Sequence, residues 1–284
     1  MIIGINGYSG SGKDTIGTII QYLNCDNPNT PLEEVLKDPL HNQWWLEDSS
    51  RWEVKKWAGK LKTIASLLTG ISQERFEDQE FKKTNLGPEW DYWEVSLAKH
   101  TPAKKKPFVT EGRFITKQAA EIHKMVYSGQ YGYGWEHEWR IEKHQMSVRQ
   151  FLQELGTDAC RNGLHPNTWV NALMADYVAV PQAGPSITEE NDYQYPNWII
   201  TDTRFPNEAQ AIKDAGGIVI RVDRPGVSAI NAHSSETSLD SWDFDYKIMN
   251  GSDITSLMFS VYTILKKQGI HANYQTKNQD VSHS

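Results

Sequence analysis

Residues 1–23 read MIIGINGYSGSGKDTIGTIIQYL. An apolar run, Ile2–Ile5, leads into a glycine-rich turn, and Asp14 to Leu23 continue with helical periodicity. Strand, turn and helix are the context in which G-x-x-x-x-G-K, here Gly7 to Lys13, reads as a phosphate-binding loop. The glycines at 7, 10 and 12 let successive backbone N–H groups turn inward, and the helix N-terminus adds donors of its own. Lys13 puts a positive charge where a terminal phosphoryl group would leave. The position after the lysine, usually Ser or Thr, holds Asp14, and the hydroxyl follows at Thr15. A glycine-rich turn without a ligand is the plain alternative.

The chain has 284 residues, a hydrophobic content of 38% and a net charge of −7. Its mean hydropathy of −0.60 describes a normal core under a very polar surface. An acidic balance argues against a binder of nucleic-acid polymers, which needs a basic face. Cys25 and Cys160 stand far apart and form neither a disulfide framework nor a zinc pattern, which fits a reducing, cytoplasmic setting. No stretch is long and apolar enough for a membrane span, and the N-terminus lacks the basic segment of a signal peptide. The oligomeric state is not legible, and a homodimer stays open.

Further along, residues 24–50 are rich in Asn, Pro and Asp and read as a loop or short irregular insertion. Val54–Ala58 starts as a strand and passes into a helix with Leu61, Ile64, Leu67 and Leu68 on one face. Residues 84–146 carry Trp90, Trp93, Trp135 and Trp139 and the basic run 104–106, and read as an insertion folding over the core. Residues 147–163 form a helix, and 165–179 another, opened by Pro166 and Asn167. Residues 181–196 are a loop. Then come a strand (Trp198–Thr201), a helix (Asn207–Ala215), a strand (Ile218–Val222) and a last strand before the turn Asn250-Gly251. A final helix is capped by Ser252 or Asp253. Residues 267–284 are a loose polar tail. Alternating strands and helices imply an α/β fold, a central parallel sheet with helices on both faces.

A GTP-binding N-K-x-D motif and a transporter-type LSGGQ signature are both absent, which leaves small-molecule kinases. Asp202, in "TDTRFPNE", ends an apolar strand where ligands gather in open α/β sheets, and suits a magnesium-bound water. Arg204 and Glu208 follow it. A solvated strand end and an exposed helix residue are the plain readings. Arg149, Gln153 and Arg161 are spaced over a helix and its exit, with Gly156-Thr157 between, and Arg149 can fork onto a phosphate. Trp169 stacks on a base or fills the core, the core being the better reading of the residues alone.

Together, "GYSGSGKDT", "WAGKLK", "RQFLQELGTDACR…W", "TDTRFPNEAQAI…GGIVIRVDRPG" and "HSSET" resemble the deoxynucleoside monophosphate kinases of tailed bacteriophages, over most of residues 1–266. The resemblance implies a P-loop kinase fold in one domain, with mobile monophosphate-binding and lid segments. It implies transfer of the terminal phosphoryl of ATP, with Mg2+, to a deoxynucleoside monophosphate. Gly10, Ser11, Gly12, Lys13, Asp14 and Thr15 would hold the ATP phosphates. Lys62, Arg149, Gly156, Thr157, Trp169 and Glu208 would bind the monophosphate. Lys13, Arg149, Asp202 and Arg204 would serve the transfer, with Asp14 and Asp202 reaching magnesium through water. The family more often shows F-A-x-P-L-K where this chain has "WAGKLK", with Trp57 for Phe and Lys60 for Pro. His233 is a structural residue at least as readily as a base, because a phosphate acceptor is already anionic. Two rivals stand: a kinase similar to dephospho-coenzyme A kinases, with Asp14 as base, and a nucleotide-binding protein without turnover.

Overall fold

The computed structural model of the chain describes residues 1–26, 28, 30–100, 108–128, 136–181, 193–228 and 237–274. Along these run β1 (Ile2–Asn6), α1 (Lys13–Asn24), α2 (Leu32–Val35), α3 (Pro39–Ser50), β2 (Trp52–Lys55), α4 (Gly59–Thr69), β3 (Tyr92–His100), β4 (Val109–Phe114), α5 (Lys117–Ser128), β5 (Glu136–His144), α6 (Val148–Gln153), α7 (Thr168–Met174), β6 (Val180–Pro181), β7 (Tyr193–Gln194), β8 (Asn197–Ile200), α8 (Pro206–Asp214), β9 (Ile218–Asp223), β10 (Tyr246–Met249) and α9 (Ile254–Lys267). The chain divides into two compact units, residues 1–60 with 164–284, and residues 61–163.

The first unit is built on a five-stranded sheet in the order β10-β9-β1-β8-β2. Every pairing is parallel, with Ile3 opposite both Ile199 and Ile218. Every residue of β1 is buried, as expected of a parallel strand covered on both faces. Ile3 and Ile5 pack with Ile16, Ile19, Ile20 and Leu23 of α1 and with Leu257, Val261 and Leu265 of α9. Ile2 turns the other way, into a cluster with Trp198, Ile200, Val219, Ala209, Ile212 and Leu173. Helices therefore cover both faces, as the alternation of elements implies. From β1 the chain goes to β2 on one side, and from β8 to β9 on the other. The carboxyl ends of β1 and β8 thus flank the point where the winding reverses, the place where open α/β sheets bind ligands.

Residues 24–50 differ from the loop expected of them. They hold α2 and the 12-residue α3. The start of α3 is locally encoded: the Asp38 carboxylate accepts the His41 N–H, and Pro39 supplies a fixed φ in the first turn. Leu46 of α3 packs with Cys25 and Val35. Residues 268–274 are likewise not loose. Asn273 donates its N–H to the Leu23 carbonyl at 2.6 Å, and Ala272 is buried. Residues 275–284, and most of the expected loop 181–196, lie outside the described residues, although β6 and β7 pair at that loop's two ends. Asp253 caps α9 through the Ser256 N–H, settling the choice with Ser252.

The second unit contains an antiparallel sheet, β4-β3-β5, with α5 and α6. Beside it a core gathers Ala65, Phe76, Tyr92, Met146, Val148 and Phe151. Trp90 packs edge-on to Phe151, while Trp135 and residues 104–106 lie outside the described residues. The expected apolar face of α4 is not its buried face. Leu67 is 81% and Leu68 54% exposed, while Lys62 and Ala65 are buried. Periodicity marks a stripe but not what meets it; here the small Ala65 side chain admits the aromatic cluster. After α6, residues Glu154–Leu164 continue as a π-helix, a wider coil than the α-helix expected.

Candidate active site

The loop after β1 is shaped by its glycines. Gly10 has φ +81° and Gly12 φ +100°, values open to glycine at little cost. A Cβ at Gly12 would also lie 2.4 Å from the Asn250 side-chain nitrogen. Gly12 then caps α1, whose first-turn N–H groups have no partner inside the helix. These groups and the helix dipole are what an anion meets there.

Within the loop the Tyr8 carbonyl accepts from two donors, the Ser11 N–H at 3.1 Å and the Lys13 ammonium at 2.8 Å. One backbone oxygen therefore holds the lysine over the loop. The Ser11 side chain is fully buried, and its hydroxyl has no hydrogen-bond partner among the described residues.

Asp14 lies in the first turn of α1, with its side chain 76% exposed. Its Oδ1 accepts the Thr201 hydroxyl at 2.7 Å and lies 3.6 Å from the Lys56 ammonium. Thr15, next in the chain, is half-buried. Asp202 stands two residues beyond the end of β8. One of its oxygens accepts the Trp57 N–H at 2.8 Å and the other the Ala58 N–H at 3.1 Å. Burial pushes its carboxyl above the usual range, against the pull of those two amides and of Arg204 and Lys56. Asp202 is thus no solvated strand end; it fixes the backbone that opens α4. The Trp57 indole N–H reaches the Thr203 hydroxyl at 3.3 Å, a contact that phenylalanine could not make.

Glu208 is 2% exposed. Its Oε2 accepts the N–H groups of Arg204 and Phe205 at 2.8 and 3.1 Å, closing the start of α8. The exposed-helix reading of Glu208 is therefore wrong, while the Arg204 side chain is exposed. Trp169, on α7 beside the core residues Val170 and Leu173, is only 5% exposed.

The remaining expected substrate residues belong to the second unit. Lys62 is buried and paired with Glu77. Arg149 is exposed on α6, Gly156 is buried against Leu61, and Thr157 is half-buried in the π-helical stretch. In the same unit, Arg113 forks onto Glu154, which also accepts from Gln150 at 2.8 Å. Burial raises the Glu154 carboxyl, but these hydrogen bonds outweigh it and hold the group below its usual range. His233 lies outside the described residues.

Several site neighbours are not among the expected site residues. Arg221 of β9 is buried, with Nη1 2.7 Å from Asn6 Oδ1 and 3.2 Å from Asp240. Its guanidinium stacks 4.5 Å from the Tyr8 ring centre, and the Tyr8 hydroxyl donates to Asp240. Thr201 and Lys56 were legible in principle, since both directly follow the strands that end beside the loop.

The glycine cradle and orphan amides fit a polyphosphate. No group of three or more His, Cys, Asp or Glu side chains among the described residues forms a cation cage. Asp14, exposed and oriented, fits a magnesium ion carried on phosphates and reached through water. No described helix is long and apolar enough to cross a membrane.

The sheet order, the loop at its central strand and the acid after the neighbouring strand define the P-loop kinase fold. Residues 1–261 match the family model described as deoxynucleotide monophosphate kinase, and the chain belongs to that family. It is 33% identical over 122 residues to the deoxynucleotide monophosphate kinase of Enterobacteria phage T4, covering 43% of this chain and 46% of the relative. It is 32% identical over 114 residues to a putative deoxynucleotide monophosphate kinase of Acanthamoeba polyphaga mimivirus, covering 37% and 54%. Escherichia phage RB69 has a third such relative, 28% identical over 120 residues, covering 42% and 45%. The chain thus spans about half the length of the curated relatives it matches.

Proposed function

We propose that this chain transfers the terminal phosphoryl of ATP to a deoxynucleoside monophosphate, giving ADP and the deoxynucleoside diphosphate. The observation that carries the reading is the Gly10–Thr15 loop at the carboxyl end of the central strand, in a chain of this family. A phosphate oxygen of the acceptor attacks the terminal phosphorus in line, and the bond to the bridging oxygen of ADP breaks. The acceptor oxygen is already anionic, so no general base is required. The loop amides and the first turn of α1 hold the donor phosphates. Lys13 leaves the Tyr8 carbonyl for the transferring phosphoryl, exchanging one oxygen acceptor for a charged one. Arg204, exposed beyond the end of β8, supplies further positive charge to the phosphates. Asp14 would hold a magnesium ion through water, and the ion would supply positive charge against the phosphates.

Lys62, Arg149, Gly156 and Thr157 are the proposed holders of the monophosphate. Asp202 and Glu208 act through backbone they fix, at residues 57–58 and 204–205. The test is ADP release, coupled to a spectroscopic readout, with a panel of deoxynucleoside monophosphates and with dephospho-coenzyme A. ADP release that depends on a deoxynucleoside monophosphate is expected. Release with dephospho-coenzyme A alone, or nucleotide binding without any release, would replace this reading.

A further inference from the structure

Asn250 follows β10 and reaches the phosphate loop from 239 positions away. Its own N–H donates to the Asp223 carbonyl at 2.7 Å, which ties the turn after β10 to the end of β9. Its side-chain nitrogen donates to the Ser11 carbonyl at 2.9 Å. The C=O and N–H of one trans peptide point to opposite sides of the chain. With the Ser11 carbonyl held on Asn250, the Gly12 N–H is turned away from Asn250. That amide has no backbone partner among the described residues, and it directly precedes the first turn of α1. The fit is close on both sides, because any side chain at position 12 would collide with the Asn250 amide at 2.4 Å. Arg224 holds the Gly10 carbonyl in the same sense, at 3.3 Å.

We propose that Asn250 is a positioning residue of the phosphate loop: by holding the Ser11 carbonyl it aims the Gly12 N–H at a bound polyphosphate, without itself touching the nucleotide. The assignment rests on the phosphate-binding reading of the loop. It is tested by calorimetry on the full chain with two probes, Mg-ATP and Mg-tripolyphosphate, the second having no base. Asn250→Ala and the milder Asn250→Ser, too short to reach Ser11, are each expected to weaken both probes about tenfold, the scale of one hydrogen bond. Equal losses for the two probes support the assignment. Unchanged tripolyphosphate affinity in either folded variant overturns it, even if the melting temperature falls. A larger loss for ATP than for tripolyphosphate also overturns it, because the contact is then with the nucleoside. Wild-type protein that takes up neither probe ends the nucleotide reading and this assignment together.

Discussion

The Thr201 hydroxyl donates to Asp14 Oδ1 at 2.7 Å, joining the end of β8 to the first turn of α1. The unusual acid of the loop is therefore aimed by a residue from the next strand rather than left to rotate. Its other influences are favourable too: the helix N-terminus and the Lys56 ammonium 3.6 Å away both suit a carboxylate. Asp14→Asn is expected to keep measurable turnover, with the loss partly recovered by raising magnesium. Thr201→Val should shift the magnesium requirement in the same direction by less. Initial rates over a magnesium titration check both. Inactivity of Asp14→Asn at every magnesium concentration, with both substrates bound normally, would make Asp14 a base and favour a hydroxyl acceptor.

Lys13→Ala should cut turnover by about 10³-fold or more, the scale of a single charge on the moving phosphoryl. The lysine's hydrogen bond to the neutral Tyr8 carbonyl contributes about 1 kcal/mol to folding, so the cost in stability should stay small beside the loss of turnover. Steady-state kinetics and urea unfolding of the same preparation separate the two effects. Near wild-type turnover would remove the lysine from the chemistry.

Arg221→Ala should be mainly a stability variant. The side chain is 8% exposed and holds Asp223, Asp240 and Asn6. Asp223 and Asp240 are 39% and 40% exposed, so water partly takes over their solvation. A loss of about 3 kcal/mol is expected, the low end for breaking a buried pair. Urea unfolding should show a lower midpoint at an unchanged slope; a shift within error would mean that Tyr8 and Asn6 are held without it.

Asp202 and Glu154 give stability opposite slopes with pH. The folded-state pKa of Asp202 lies above its unfolded value, mainly through burial. Its contribution is therefore full below the unfolded pKa and is lost as pH rises through the raised one. The pKa of Glu154 is held below its unfolded value, so its contribution is present above the unfolded pKa and is lost as pH falls through the folded one. Asp202→Asn should remove the decline on the alkaline side of the ordinary carboxylate range, and Glu154→Gln should flatten the acid side. Unfolding free energies measured across that range check both signs.

Trp169→Ala should lower stability by about 3–5 kcal/mol, the cost of emptying an aromatic site, because the indole is only 5% exposed. ATP and monophosphate affinities, titrated separately where the variant is folded, should then change alike. A selective loss of monophosphate affinity, with stability retained, would instead make the indole a platform for the base.

The elements of the sheet were legible because their signals are local. A buried parallel strand is a continuous apolar run, as in Ile2–Asn6, and a phosphate loop needs glycines where φ is positive, as at Gly10 and Gly12. The Asp38-Pro39 start of α3 was equally local but lay hidden among the turn-forming residues of 24–50. The Glu208 cap, four residues after Arg204, was local as well. What tertiary structure alone decided are the partners of the polar groups. Nothing near Asp202 in sequence tells that its oxygens close on amides 145 and 144 positions away. The same holds for the Ser11 carbonyl and Asn250. It holds also for α4, where Ala65 rather than the leucine stripe faces the core. Apolar burial and backbone conformation are set largely by what a residue is. A hydrogen bond also needs its second group, and only the folded chain brings that group within 3 Å.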